Sequence, residues 1–419
     1  MYMRQHNSYK VQIHKEALNV LKVDVDDLLV DLIWESLWEK KRDQGSNTQQ
    51  TYLSISHGLY IPANFFLYNL PQAPSVFFGT LSLKNEQEFK AFVQAQSNWS
   101  YQEDDTVNRL STPYFLALQQ GDKLALALFM DPGDKTSWIE KQLLGILENE
   151  NQIALSESPF KEQMDQRGHL NLLGKYPLRV DFKKGTIRLA MNEGVEEVQI
   201  SEAYRKGYTG FMQIALSDQM LKSKPEWKFG PFTLNSDSLS KYGFRKGFLA
   251  WQGSTIQQDK VVDYTYDEDF NPIAVTDTVE RHVPAISGAI EVQSVALEGY
   301  LAQVGILDTV SQQISNQAFP LFTLYSFPIN PSQLSIGSVI GSPKPMHTLD
   351  SLPDNSGWIY LDLKEILSIP GIPEQVKYYL SAGASLELKG QVQEGGRWSI
   401  HGEVHMQEST RNSLLQLLE

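Results

Sequence analysis

The sequence contains no cysteine, and this absence excludes several kinds of chemistry at once. A chain without thiols forms no disulfide bond, offers no thiolate nucleophile and cannot build an iron–sulfur cluster or a cysteine zinc site. It also lacks the cysteine that carries the lipid in bacterial lipoproteins. Any metal site must therefore be built from carboxylates and from the eight histidines.

Long apolar runs are also absent. The runs at Asn64 to Leu70 and Leu124 to Met130 have the length of strands, which is too short for a membrane span. The first residues, MYMRQHNSYK, have no apolar stretch of the signal-peptide type, and we interpret residues 1–10 as a loose arm. We therefore expect no direct membrane insertion, and a cytoplasmic location if Met1 is the native start.

Positive charge is scarce. The chain has 36 Lys and Arg residues against 50 Asp and Glu residues, which gives a formal net charge of −14. Proteins that bind a phosphate backbone without regard to sequence need Lys and Arg to displace counterions, so we expect no nucleic-acid partner. The 41% hydrophobic content is ample for a buried core in a chain of 419 residues.

One pattern occurs five times: an alternating apolar run, a polar residue that can cap a helix, and then apolar residues at helical spacing. It predicts strands at Phe211–Leu216, Ala289–Val292 and Ile359–Leu363, each followed by a helix. The same phrase occurs at Asn19–Leu29 and Ser75–Phe89. The fold class predicted is α+β, with mainly antiparallel sheets, helices packed on them and repeated strand–cap–helix units.

The distribution of these elements predicts three parts. Residues 1–165 form an N-terminal α+β domain, residues 166–345 a central β-rich α+β domain, and residues 346–419 a C-terminal strand–helix–hairpin segment that packs on the others. The proline-studded stretch Pro320–Pro345 shows no periodicity, and we interpret it as a covering segment or linker.

A hairpin is predicted at the turn YDEDFN, residues 266–271. Val261–Tyr266 should pair antiparallel with Ile273–Val279, and Pro272, which has no N–H, should lie at the turn or at a non-bonded edge position. Asp267, Asp269 and Asn271 have calcium-loop offsets, but Pro272 replaces the required glycine, so a polar turn explains them better.

This turn, with the flanking YTYDEDFNPIAVTDTVER, resembles an uncharacterised family of Bacteroidota cell-envelope lipoproteins, domain of unknown function four-eight-three-six. The opening IHKEALNVLKVDVDDLL, Gly58 and the closing Asn412-Ser413-Leu414 are similar as well. The resemblance implies an α+β fold and a periplasmic or outer-membrane-associated location, and no known activity. Members of that family carry a signal peptide and a lipobox, and neither pattern is found in this sequence.

Three side chains near the C-terminus form a candidate metal site. On a strand, His401, Glu403 and His405 share one face at a spacing of roughly 7 Å. Alternation alone also explains the pattern, since Ile400, Val404 and Met406 would face the core and leave a polar face toward water. We predict that no ion lies at the triad and that all three side chains are substantially exposed, with metal binding as the alternative. The triad would support a metal-dependent hydrolase, which is the alternative function for the whole chain.

Other catalytic signals are missing. The sequence has no GxSxG, no GxxxxGK[ST] and no GxGxxG motif, so we predict no catalytic residue and no cofactor. This pattern favours a non-catalytic, envelope-associated component that binds or assembles with another protein.

The helix predicted from Asp26 to about Lys41 offers a candidate interface. Its apolar residues cover more than half of its circumference, which leaves Asp31, Glu35 and Glu39 as a solvent stripe. We expect Leu29 and Ile33 to be fully buried. Trp34 and Trp38 either complete the internal core or contact a protein partner, as aromatic residues often do at interfaces.

Overall fold

The computed structural model describes residues 2–39, 57–96, 99–104, 106–130, 137–192, 208–222, 225–266, 270, 272–340, 352, 354–368, 377–378, 380–393 and 397–418. It shows an α+β protein with large antiparallel sheets. The chain divides into two compact units: Met1–Asn192 with Thr410–Glu419, and Glu193–Ser409.

The first unit is mainly strand, with helices between the strands. Its strands are β1 (Gln12–His14), β2 (Asn19–Asp24), β3 (Leu59–Tyr60), β4 (Asn64–Leu70), β5 (Ala73–Leu83), β6 (Ser100–Gln102), β7 (Asn108–Thr112), β8 (Phe115–Gln120), β9 (Lys123–Phe129), β10 (Gln152–Ala154), β11 (Leu170–Leu173), β12 (Leu178–Lys183) and β13 (Thr186–Met191). Its helices are α1 (Tyr2–Ser8), α2 (Val25–Glu39), α3 (Glu86–Gln94) and α4 (Ser137–Leu147).

Apart from β1 and β10, which pair with each other, these strands form one antiparallel sheet in the order β13–β12–β11–β2–β4–β5–β9–β8–β7–β6, and β3 pairs with the end of β5. Its two faces carry separate cores. Leu116 and Leu118 of β8 pack in the core that includes Ile139 and Leu143 of α4. Ala117, between them, belongs to the core of the opposite face with Phe89 of α3. The strict alternation along β8 therefore builds a helix–sheet–helix sandwich.

The second unit contains the remaining strands and helices, apart from the last helix. Its strands are β14 (Gly210–Ala215), β15 (Glu226–Phe229), β16 (Phe232–Asn235), β17 (Lys246–Tyr266), β18 (Pro272–Glu291), β19 (Leu307–Asp308), β20 (Gln313–Ile314), β21 (Tyr325–Asn330), β22 (Gln333–Gly337), β23 (Ser356–Asp362), β24 (Gly383–Val392) and β25 (Trp398–Met406). Its helices are α5 (Asp218–Leu221), α6 (Ser236–Lys241), α7 (Ser294–Gln303) and α8 (Leu363–Ser368).

The strand order of the second unit matches that of the first. It runs β25–β24–β23–β14–β17–β18–β22–β21–β20–β19, and all pairs are antiparallel. In the first unit β2 lies between β4, the first strand of a hairpin, and β11, which comes later in the chain. In the second unit β14 lies in the same way between β17 and β23. A helix follows β2 and β14 (α2 and α5), and a helix follows the hairpin in both units (α3 and α7). The same connectivity is therefore built twice.

Near each of the three predicted positions a strand precedes a helix, and each strand ends one residue before the predicted end. β14 is followed by α5, β18 by α7 and β23 by α8. Gln293, which precedes α7, makes no side-chain cap hydrogen bond, so the cap of the predicted pattern is missing there. Ser217 caps α5, because its Oγ accepts a hydrogen bond from the N–H of Met220 at 3.3 Å. Asn85 caps α3 in the same way through the N–H groups of Gln87 and Glu88.

Three features differ from the sequence expectations. Residues 1–10 are not a loose arm, because Tyr2–Ser8 forms α1 and Arg4 pairs with Asp26 at 2.9 Å. The proline-rich stretch contains β21 and β22, so it is part of the sheet. The three-part division at residues 165 and 345 also differs from the two units found.

The reason for the different division is long-range pairing. β11 follows residue 165 in the chain, yet it pairs with β2, and β12 and β13 extend the sheet from there. β23 pairs with β14 and so belongs to the second unit. The last helix, α9 (Ser413–Leu417), belongs to the first unit, where Ser413 donates to the carbonyl of Thr186 at 3.0 Å.

In the described part of the chain, no helix combines the length and the apolar character needed to cross a membrane.

Candidate functional site

The predicted triad lies on β25, where alternation brings the three side chains to one face. The Nε2 atoms of His401 and His405 are each 3.7 Å from Glu403, and each faces a different carboxylate oxygen. The side chains are 42%, 38% and 26% exposed for His401, His405 and Glu403. Glu403 is therefore more buried than we expected, and the histidines flank it on two sides.

This arrangement differs from a metal centre. Zinc requires ligand atoms that converge on one point at about 2.0–2.2 Å, whereas here each histidine nitrogen is directed at a separate oxygen of the same carboxylate. Among the described residues, no group of three or more His, Cys, Asp or Glu side chains is placed to hold a metal ion. The described geometry is that of one carboxylate flanked by two imidazole rings along a strand.

The neighbouring strand adds two charged groups that the sequence analysis did not identify. Glu387 of β24 lies directly opposite Glu403, and Lys389 lies opposite His401. Glu387 is only 5% exposed, so its carboxylate needs partners. It accepts hydrogen bonds from Trp358 Nε1 at 3.2 Å and is paired with Lys389 Nζ at 3.1 Å. These contacts explain the buried charge as a structural element of the sheet.

The structure tests only part of the prediction that helix α2 carries a partner interface. Trp34 and Trp38 fall in α2, but their side chains, like that of Ile33, lie outside the described residues. Leu29 is half-buried, so the prediction of full burial is wrong for it.

Asp31 of α2, which the sequence analysis placed on the solvent-facing side of the helix, contacts two other side chains. Its Oδ2 lies 3.2 Å from Nε2 of buried His169 and 3.4 Å from Nζ of Lys183. Nδ1 of His169 accepts the N–H of Phe182 at 2.8 Å, so both ring nitrogens are occupied. This contact attaches α2 to β11 and β12, and it leaves His169 no free nitrogen for catalysis.

Lys22 is a second buried charge in the first unit. It is 2% exposed, and its Nζ donates to Tyr9 Oη at 2.9 Å and to the carbonyls of Met164 and Gln166 at 3.1 and 3.0 Å. Burial lowers the pKa of Lys22, and the negative charge of Asp24 opposes that effect. All three ammonium donors are used, so this lysine holds a loop in place and is not available as a nucleophile.

The largest unexplained feature is the hairpin of β17 and β18. These strands pair continuously from Lys246–Glu291 to Tyr266–Pro272, which confirms the predicted hairpin and places Pro272 at the end of its strand. β14 contacts β17 only as far as Trp251, and β22 contacts β18 only from Ser287. The part beyond these contacts, residues 254–284, is hereafter called the arm.

The arm is a two-stranded ribbon whose base alone is attached to the unit. Gln257 exchanges hydrogen bonds with the backbone of Thr323, and Val283 packs against Phe322 and Leu324. Arg281 donates to the carbonyl of Leu321 at 3.0 Å. Beyond these anchors the two strands pair only with each other among the described residues. The arm has thirteen residues in each strand, 254–266 and 272–284, which correspond to a length of about 43 Å.

Apolar side chains are exposed along the arm. Val275 and Val279 of β18 are 37% and 49% exposed, and Ile256 of β17 is 52% exposed. Phe270 in the turn is 83% exposed and has a left-handed φ of 62°, which is rare for an aromatic residue. Asp267, Asp269 and Asn271, the residues with calcium-loop offsets, lie outside the described part of the chain.

The first unit provides an internal comparison for the arm. Its equivalent hairpin, β4 and β5, has 7 and 11 residues, whereas β17 and β18 have 21 and 20. β5 is paired with β9 from Val76 to Ser82, so this hairpin stays within its sheet. The shared connectivity therefore forms without an arm, and the extension in the second unit is not needed to build the fold.

Comparisons with known proteins identify no family. No protein-family model and no curated protein matches the sequence. Crystal forms III, IV and I of a protein named TP0453 align over 77–78% of this chain and 87–90% of theirs, at 7–8% sequence identity and TM-scores of 0.24–0.25. Likeness at this level carries no argument about fold or function.

Proposed function

We propose that this chain is a non-catalytic protein-binding or assembly component and that the arm is its binding element. The observation that carries the proposal is the extension of β17 and β18 beyond the sheet that the equivalent hairpin, β4 and β5, does not share. An isolated two-stranded ribbon is marginally stable in water, and it exposes apolar side chains and unpaired strand edges. Such a ribbon gains most when a partner covers it.

The proposed location is the cell envelope. Its support is the resemblance of residues 264–281, which lie in the arm, to Bacteroidota envelope lipoproteins. We further propose that the repeated strand–cap–helix phrase reflects two copies of one ancestral unit, since the helices α2, α3, α5 and α7 follow equivalent strands in the two sheets. Superposition of the separately crystallised units would test that relation.

The function is tested by shortening the arm. Replacing Lys260–Thr278 with Asn-Gly joins the paired residues Asp259 and Val279, whose backbone groups face each other, through a turn that favours a tight hairpin. We expect this variant to retain the melting temperature and circular dichroism of the parent protein. Chemical crosslinking in the source cells, followed by mass spectrometry, should recover a partner with the parent chain and lose it with the short-arm variant.

The control is a turn of the same unit that lies away from the arm. Asn330 to Gln333 connects β21 and β22, and replacing Ser332 with Ala leaves the arm intact. If the short-arm variant folds and still recovers the same crosslinked partner, the arm is not the binding element.

A further inference from the structure

We infer that the partner of the arm is a Lys- and Arg-rich extended segment of another protein, which adds as a third strand to the outer edge of β18. This inference rests on the proposed function and specifies its partner. Three observations support it: the hydrogen-bonding pattern of β18, the placement of its prolines, and the charge of the arm.

The outer edge of β18 can be derived from its base. Ile286 donates its N–H to Ser338 Oγ at 2.8 Å, and its carbonyl accepts from the N–H of Ser338 at 2.9 Å, so its backbone points away from β17. In an antiparallel pair this orientation alternates residue by residue. The register shift just before the arm adds a residue to β17 only, between Trp251 and Ser254, so the alternation along β18 continues.

Even-numbered residues of β18 therefore present their N–H and C=O groups outward. The two prolines of the strand, Pro272 and Pro284, both fall on this outward set, where no N–H is needed for the hairpin. Between them lies an edge in which the described backbone makes no other hydrogen bond: Ala274, Thr276, Thr278, Glu280 and His282. This edge is long enough for a partner strand of about nine residues.

Charge indicates the chemistry of that strand. The arm, residues 254–284, contains seven acidic and two basic residues, a net charge of −5. On the face of β18 that carries Val275 and Val279, Asp277 lies between the two valines and is exposed like them. On this face a strand added here would meet an apolar, an acidic and an apolar position, one at every second residue, which suits apolar, cationic and apolar residues at the alternate positions of the partner strand. A second copy of the chain is disfavoured, because its arm has the same negative charge.

The test uses a labelled peptide of about nine residues, Val-Thr-Lys-Thr-Val-Thr-Lys-Thr-Val, in which valine and lysine take turns at every second position and therefore share one face, with binding measured by fluorescence anisotropy. One control peptide has glutamate at the lysine positions. A second control keeps the lysines and replaces the valines with proline, which removes backbone donors without changing the charge. We expect the first peptide to bind and both controls to bind at least about tenfold more weakly.

A matched pair of protein variants tests the edge itself. Thr278→Pro removes one outward N–H at a position equivalent to Pro272 and Pro284, while Thr278→Ala keeps it. We expect the proline variant to weaken peptide binding about fivefold or more and the alanine variant to leave it within about twofold, at equal melting temperatures. Asp277→Asn with Glu280→Gln should reduce binding and its salt dependence.

Several outcomes would overturn the inference. Equal binding of the proline-containing lysine peptide would show attraction by charge alone, and equal effects of Thr278→Pro and Thr278→Ala would exclude strand addition at this edge. An arm-dependent dimer in light scattering would identify a second copy as the occupant. If no peptide binds while shortening the arm still removes the crosslinked partner, this inference is wrong and the proposed function stands. If shortening the arm leaves the partner in place, the proposed function itself fails.

Discussion

Two glycines in the first unit allow a close test of how the sheet and α3 are held together. Gly58 and Gly121 both have left-handed φ angles, of 65° and 58°. A Cβ added at Gly58 would lie 2.3 Å from the carbonyl oxygen of Asn85 and 2.4 Å from the backbone nitrogen of Phe89. A Cβ at Gly121 would meet nothing within 4 Å. Both glycines therefore adopt the same left-handed backbone conformation, but only Gly121 has room for an added Cβ atom.

The expected costs follow from these environments. Alanine in a left-handed conformation costs roughly 1–2 kcal/mol, and both Gly58→Ala and Gly121→Ala incur this cost. At Gly58 the added methyl group also displaces the start of α3, where the carbonyl of Gly58 accepts the N–H groups of Lys84 and Asn85 at 2.7 and 3.0 Å. Overpacking against backbone adds about 1–3 kcal/mol. We expect Gly58→Ala to lose about 2–5 kcal/mol in total.

Urea unfolding of both variants, monitored by circular dichroism, measures the difference. Because the chain has two units, each unit can unfold in its own transition. The transition whose midpoint the substitution shifts is then that of the unit that contains the glycine. Hydrogen exchange at the amides of Phe89 and Val93 gives a local readout, and it should become faster only in Gly58→Ala. Equal losses of stability in the two variants would refute the argument that α3 is placed by a glycine contact.

Three further predictions concern the charged and buried groups. Burial raises the pKa of Tyr68 from 10.0 to about 12, so only the unfolded chain ionises in that window and stability falls as the pH rises from 10 to 12. Tyr68→Phe should lose about 1 kcal/mol less than the parent between pH 9 and pH 11 in urea titrations, and an identical pH profile would contradict this. Lys389→Met removes the cation paired with buried Glu387 and should lower the free energy of unfolding by about 3 kcal/mol. The double variant with Glu387→Gln should recover part of that loss, and no recovery would argue against the ion pair. Purified protein should contain no stoichiometric zinc or manganese by elemental mass spectrometry, and a stoichiometric signal that disappears in His401→Ala would revive the hydrolase alternative.

The sequence was sufficient to predict local structure. The cap of α5 was readable because Ser217 and the strand before it are adjacent in the chain, and the same applies to Asn85 before α3. The hairpin of the arm was also predictable, since its two strands are joined by a short polar turn. α1 was missed because its apolar pattern is weak and its contacts, such as that of Arg4 with Asp26, are with later residues.

The candidate site shows the same limit. Alternation placed His401, Glu403 and His405 on one face of a strand, as in the structure. It could not show that Glu387 lies opposite Glu403, because that register depends on how β24 pairs with β25. The charged neighbour changes the interpretation of the triad, since Glu387 is compensated by Lys389 and Trp358 and the polar face is part of the sheet.

The strand β14, the cap Ser217 and the hairpin of the arm follow from residues a few positions apart, whose side chains alternate or whose polar groups bond nearby backbone. Nearby residues did not predict α1, β21 or β22, and they do not show which strands are neighbours. β11 pairs with β2 and β23 with β14 across long stretches of chain, and these pairings build two sheets of the same order. Such pairings are selected by the total apolar surface that they bury, a sum over distant residues that no local pattern contains. The arm is defined by the residues at which β17 stops pairing with β14 and β18 stops pairing with β22.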